Sequence, residues 1–256
     1  MDRRKIPVHP YAPVTVLNPD GRFPVVLTCE HASCAVPTEY QNLGLNPDYL
    51  KRHIGWDIGA RAVVQEIIQH IDSPAVFSGY SRLLIDCNRD LSDHDLVIPK
   101  SDGIPVPANR HVTDSERQRR IADFYNPYHA AIDHVLAQKK SQPTILLSVH
   151  SFTPILGKKK RLFDLGVLFD RYADLAQKFG QLLSQTGYRV RYNEPYSGYD
   201  GLIFSACRHG EHNHLVYLEI EMNQGLLLNP AGIAEMGQKL SQVLKDLSTL
   251  EKEHTA

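Results

Sequence analysis

Apolar positions fall along the chain in two periods. Short runs rich in β-branched residues and leucine stand at 24–29, 75–77, 83–87, in PTILLSVHS and in LGVLFD, and each reads as a buried strand. YRVRYNEPYSG reads as an alternating strand followed by a turn, and HLVYLEIEMN alternates strictly, as a strand does. Between these runs the spacing turns helical. Ile58, Ala62, Ile67, Ile68 and Ile71 predict an amphipathic helix over about 57–71, with Asp57 as its N-cap or first-turn acid. Thr113 and Glu116 have capping-box spacing and open a long helix, interrupted or kinked at Pro127. ADLAQKFGQLLSQTG reads as a helix ended by Gly187, and the segment from Pro230 as a C-terminal helix.

Strands and helices therefore interleave over the whole chain. That order predicts one α/β domain spanning 1–256: three layers, a mixed, mainly parallel sheet with helices on both faces. The segment 93–112, rich in proline and glycine, is long for a connection, and such loops are often functional.

Composition narrows the classes. With 42% apolar and 22% charged residues the chain reads as an ordinary globular protein, and its formal charge of −1 supplies no field toward nucleic acid or an anionic membrane. The four cysteines form no C-x-x-C pair, and Cys29 and Cys87 lie in or beside apolar runs. Buried free thiols suit a reducing compartment. The basic N-terminal stretch has no apolar core of a signal peptide, and no apolar run nears the ~18 residues of a membrane span. A cytoplasmic location is expected, with a small-molecule partner and neither nucleic acid nor membrane.

Ligands of open α/β sheets gather beyond the carboxyl ends of strands. Glu30 and His31 follow the first predicted strand, Asn88 and Arg89 follow the 83–87 run with Arg82 before it, and His150 ends the central strand. Glu219 and Glu221 are two apart and share a face of the last strand. A divalent metal accounts best for this mixture, because zinc takes histidine nitrogen and carboxylate oxygen. His31 and His150 would ligate it with Glu30 or Asp57, and a second carboxylate would accept a proton from water. Taken singly each residue has a plainer reading: a hydrogen-bonded histidine, a helix cap, or surface pairs of Arg82 and Arg89 with Asp86 or Asp90.

VLTCEHASCAVP, HIGWDIGA, YSRLLIDCNRDL, SVHSF, YNEPYSG and LEIEMNQGLL together resemble the N-formylglutamate amidohydrolase family over about 23–229. That family is related to the zinc carboxypeptidases, and the resemblance implies their fold. It implies His31 and His150 as zinc ligands, and Arg82, Asn88 and Arg89 as substrate-handling residues. It implies Glu221, with Glu219 second, as the general base. The peptidases open on H-x-x-E, whereas the fourth position here is Cys34, which leaves Glu30, Asp57 or Cys34 as third ligand. Asn223 and Gly225 stand where the family carries arginine and aspartate. The reaction implied is hydrolysis of an N-acyl amino acid, N-formylglutamate or a near relative. A peptidase, another deacylase and a non-catalytic binding protein are the other readings. Arg110, His111 or Arg208 would meet a substrate side-chain carboxylate, and 93–112 would close over the acyl end.

Overall fold

The structure, a computed structural model, describes residues 12–139 and 144–255; the basic stretch 1–11 lies outside them. Seven strands form one sheet: β1 (Val14–Leu17), β2 (Val25–Cys29), β3 (Ala75–Ser78), β4 (Ile145–Phe152), β5 (Leu165–Leu168), β6 (Val190–Tyr192) and β7 (Val216–Asn223). Their spatial order is β1-β3-β2-β4-β7-β5-β6. The central four, β3, β2, β4 and β7, are parallel, while β1 and the β5-β6 pair run against them. This is the mixed, mostly parallel α/β sheet that the interleaved pattern predicts.

Period-two alternation gives each central strand two different faces. Leu27 and Cys29, Leu147 and Val149, and Leu218, Ile220 and Met222 pack beneath α1 (Ala60–His70), α4 (Ala173–Gln185) and α6 (Pro230–Thr255). On the other face the strands begin with Val26, Leu146 and Tyr217, packed against Tyr128, Ile132 and Val135 of α3 (Asn126–Ala137) and Ala206 of α5 (Phe204–His212). Further along that same face come Thr28, Ser148 and Glu219, then His150 level with Glu221. One face thus changes from apolar to charged along its length. Each buried Leu, Ile or Val contributes roughly 1.5–3 kcal/mol, and these residues anchor the strands whose far ends carry buried charge.

Several elements differ from expectation. Residues 83–87 are not a strand. The segment is a buried series of turns whose carbonyls are satisfied by side chains: Asn109 donates to Leu83 O (2.7 Å) and Arg120 to Leu84 O (2.9 Å). Helix α1 starts at Ala60, capped at Gly59 without a side-chain bond, so Asp57 does not cap it. The long helix begins as expected, with Thr113 capping α2 (Asp114–Arg120). Its interruption is a π turn over Ile121–Tyr125 immediately before Pro127, which absorbs the hydrogen bond that proline cannot make. The edge strand β1 and helix α5 were not expected from the sequence pattern. The segment 93–112 is built from two short 3-10 turns and a small hairpin, with Leu96, Val97 and Val106 buried. Among the described residues no helix is long and apolar enough to cross a membrane.

Candidate active site

β2, β4 and the turn before α1 deliver His31, His150 and Asp57 to one point. These three offer ligand atoms that all lie within 4.8 Å of one another, and all three are buried. Asp57 Oδ2 accepts from His150 Nδ1 at 2.7 Å. His31 Nδ1 is 3.4 Å from the same oxygen and makes no hydrogen bond. The opposite nitrogen of each ring is occupied by a carboxylate: His31 Nε2 by Asp86 at 2.7 Å and His150 Nε2 by Glu30 at 3.0 Å. Such carboxylate partners fix ring orientation and turn Nδ1 toward a common centre.

Glu30 therefore sits behind His150 rather than beside His31, since consecutive side chains leave a strand on opposite faces. Its remaining lone pairs are filled by Tyr128 Oη (2.8 Å) and Ser148 Oγ (2.6 Å). Cys34 packs against the apolar cluster of the α3 layer. Two buried donor sets share His150: one with Glu219 and Glu221, the other with His31 Nδ1 and Asp57 Oδ2, on which His150 Nδ1 converges. Two imidazoles and one carboxylate suit zinc, and the orphaned, buried His31 Nδ1 lacks only a partner of that kind.

Charges are dense here. Burial alone would raise the carboxyl pKa of Asp57, Asp86 and Glu30. The facing histidines, with Arg82 beside Asp86 and Ser148 beside Glu30, hold all three below the usual carboxylate range. Burial also opposes a charge on His150, yet Glu219, Asp57 and Glu30 raise its pKa well above the ordinary value. Burial pushes Glu219 up to about 7, and burial with the Asp57 charge lifts Glu221 well above its usual range. Glu219 is engaged by Asn88 Nδ2 (3.3 Å) and lies 3.5 Å from His150 Nε2, whereas Glu221 Oε2 is buried with no partner. β7 lies inside the sheet and both glutamates are buried, so the Glu-Ile-Glu face is not a solvent face.

A cavity of about 220 Å³ opens over this edge, lined by His31, Arg82, Asn88, Arg89, His150, Tyr196, Leu202, Glu219 and Glu221. Arg82 and Arg89 do pair with acids, though not as a free surface. Arg82 reaches Asp86 (3.1 Å) and Asp57 (3.6 Å), both buried, while Arg89 has Asp93 at 3.5 Å. Asn88 serves as a joint. Its Oδ1 accepts from Ser205 N (2.9 Å) at the start of α5, and its Nδ2 reaches Leu202 O (3.1 Å) as well as Glu219. Residues 93–112 do not line the cavity, nor do Arg110, His111 or Arg208. Arg208 donates instead to Tyr125 Oη at 3.3 Å. Asn223 turns away, donating to Phe163 O and accepting from Gly225 N.

Sequence reading missed Asp86, Ser148, Tyr128, Tyr196 and Leu202. Ser148 was within reach, being two residues before His150 on the same face, and Tyr196 lies inside a motif already singled out.

Fold and site together define a protein of the α/β class with a buried polar centre at the carboxyl edge of a mostly parallel sheet. Residues 23–228 match the FGase family, N-formylglutamate amidohydrolase, and the chain belongs to that family of amidohydrolases. A gene product of Agrobacterium tumefaciens has a similar crystal structure, with a TM-score of 0.89 and 30% identity over 93% of this chain and 96% of that one. N-formylglutamate amidohydrolase from Ralstonia eutropha shares the fold with a TM-score of 0.77 and 22% identity, over 94% of this chain and 99% of that one. The chain matches no curated protein.

Proposed function

We propose that the chain is a metal-dependent amidohydrolase that removes a small acyl group from an N-acyl amino acid, with N-formylglutamate the best-supported substrate. Family membership supports the hydrolytic reaction, and the family's description, the neighbour of that name and the size of the cavity support the substrate. At about 220 Å³ the cavity is smaller than the roughly 300–1,000 Å³ of sites for drug-sized ligands. That size favours a short acyl group over a peptide, and among the described residues Leu202 is the one aliphatic residue lining it.

His31, Asp57 and His150 would hold a divalent first-row cation, zinc by donor type. When bound, such an ion polarises the acyl carbonyl and makes water more acidic. It would also bring the raised carboxyls of Glu219 and Glu221 down toward ionisation. Glu221 takes the proton of the attacking water and returns it to the leaving nitrogen, so that acid and free amine are the products. Arg82 hydrogen-bonds the carbonyl oxygen as charge develops there. Arg89 takes the substrate α-carboxylate, because its fork is the less neutralised of the two. Asn88 holds Glu219 and the start of α5 in place.

The observation that carries the assignment of roles is the pairing of two orphaned buried atoms, His31 Nδ1 and Glu221 Oε2, at one polar cavity. Glu221→Gln is expected to keep its metal and lose turnover by roughly 10²–10⁴-fold. Glu219→Gln, measured beside it for metal content and kcat, is expected to lose less; the opposite order would make Glu219 the base. A chain that binds N-formylglutamate with metal present yet never releases formate would be a binding protein instead.

A further inference from the structure

The motif Tyr192–Gly198 takes no part in the roles above. It follows β6, which runs against the central strands, so the chain would ordinarily leave the sheet at the end remote from the site. Instead it doubles back over β5. Asn193 adopts left-handed backbone (φ 50°), its N–H donates to Val167 O at 2.9 Å, and its Oδ1 accepts from Phe169 N (3.0 Å) and Gly198 N (3.1 Å). Two glycines permit this close approach. A Cβ on Gly166 would stand 2.0 Å from the Glu194 carbonyl oxygen, and one on Gly198 would stand 2.4 Å from the Phe169 carbonyl. Gly166 is the cross-strand partner of Glu221. The packing therefore lowers residues 194–196 onto β5 beside that glutamate.

Tyr196 arrives at the cavity wall together with Arg82 and Glu221. Arg161 lies over its ring, the guanidinium carbon 5.2 Å from the Tyr196 centroid and 5.6 Å from that of Phe152. Arg161 is itself tied to Thr153 O at 3.3 Å. Partial desolvation of this part-exposed phenol and the Glu221 charge keep it protonated, against the pull of Arg161, which also hydrogen-bonds its side chain, and of Arg82. It is a neutral O–H donor on a braced ring.

We propose that the Tyr196 hydroxyl is a catalytic hydrogen-bond donor to the acyl oxygen, sharing with Arg82 the charge that develops there during water attack. No proton leaves the phenol. Its O–H bond shortens the contact as the oxygen becomes negative and relaxes when the C–N bond breaks and the carbonyl reforms. Arg161 is a positioning residue that acts through the ring. This assignment rests on the amidohydrolase reading.

The test is Tyr196→Phe, which keeps the ring and its contact with Arg161. With N-formylglutamate and the metal-loaded enzyme, kcat is expected to fall on the order of 10²–10³-fold, with KM and metal content unchanged. Affinity for a tetrahedral phosphonate analogue of the substrate should fall by the same factor as kcat/KM, while binding of the product amino acid stays the same. Arg161→Met should cost less, and nothing further when combined with Tyr196→Phe. A kcat within threefold of the parent, or equal losses of analogue and product binding, would overturn the assignment. A parent enzyme that neither turns over N-formylglutamate nor binds the analogue would bring down the amidohydrolase reading, and this assignment with it.

Discussion

Asp57 and Glu30 were equally open as the third metal-binding residue on sequence grounds, and their surroundings separate them. Glu30 has every near lone pair filled by Tyr128, Ser148 and His150. Asp57 shares an oxygen between the two Nδ1 atoms. The two histidines were legible because each follows an apolar, strand-like run. The choice of Asp57 over Glu30 was not, because the direction of Asp57 depends on the turn leading into α1, which periodicity does not describe. Asp57→Ala is therefore expected to abolish stoichiometric metal binding, measured by elemental analysis after gel filtration. Cys34→Ala should retain one ion per chain, and loss of metal there would return the thiol to the ligand set. Arg89→Ala is expected to raise KM for carboxylate-bearing substrates about 10–100-fold with little change in kcat, the scale of one charged hydrogen bond. An unchanged KM would remove Arg89 from the substrate.

At the scale of elements, α3 and α5 are tied outside the site by two buried histidines and a half-exposed aspartate. Asp133 Oδ1 accepts from His209 Nδ1 at 2.8 Å, which fixes the tautomer and leaves His209 Nε2 to accept from His129 Nδ1, also at 2.8 Å. Burial, then the neighbouring His209 and Arg208, lower the His129 pKa well below its usual value. Burial lowers His209 as well, against the pull of Asp133. A folded pKa beneath the unfolded value of about 6.5 means that the unfolded chain takes up protons first as pH falls. The tie is fully present above that pH and is lost below it. The urea midpoint is expected to drop between pH 7 and pH 5.5, and to drop less in His129→Leu; an equal drop would show that the pair does not titrate. Helix α5 escaped sequence reading because its histidine-rich segment has no clear apolar stripe. The 83–87 run misled for the converse reason: a short apolar run says that a segment is buried, not that it is extended.

Across the whole molecule, the class of fold was legible from the interleaving of periods, and strand order was not. β2 and β4 are neighbours although 120 positions separate Val25 from its partner Ile145, and no local signal encodes that pairing. Nor could the pattern show β5 and β6 running against the central four, or the turn at Asn193 that brings residues 193–198 back over β5. What the sequence did display was polar density at strand ends. His31, His150, Glu219 and Glu221 line one cavity because parallel strands place their carboxyl ends on one edge, and Asn88 and Arg89 reach it from a turn. The account therefore stands on whether that edge performs metal-dependent deacylation. The most direct measurement is formate release from N-formylglutamate by chain purified without chelator, then stripped, then reloaded with zinc. About one ion per chain, with turnover lost on stripping and regained on reloading, is the expected result; full turnover by the stripped chain would contradict it.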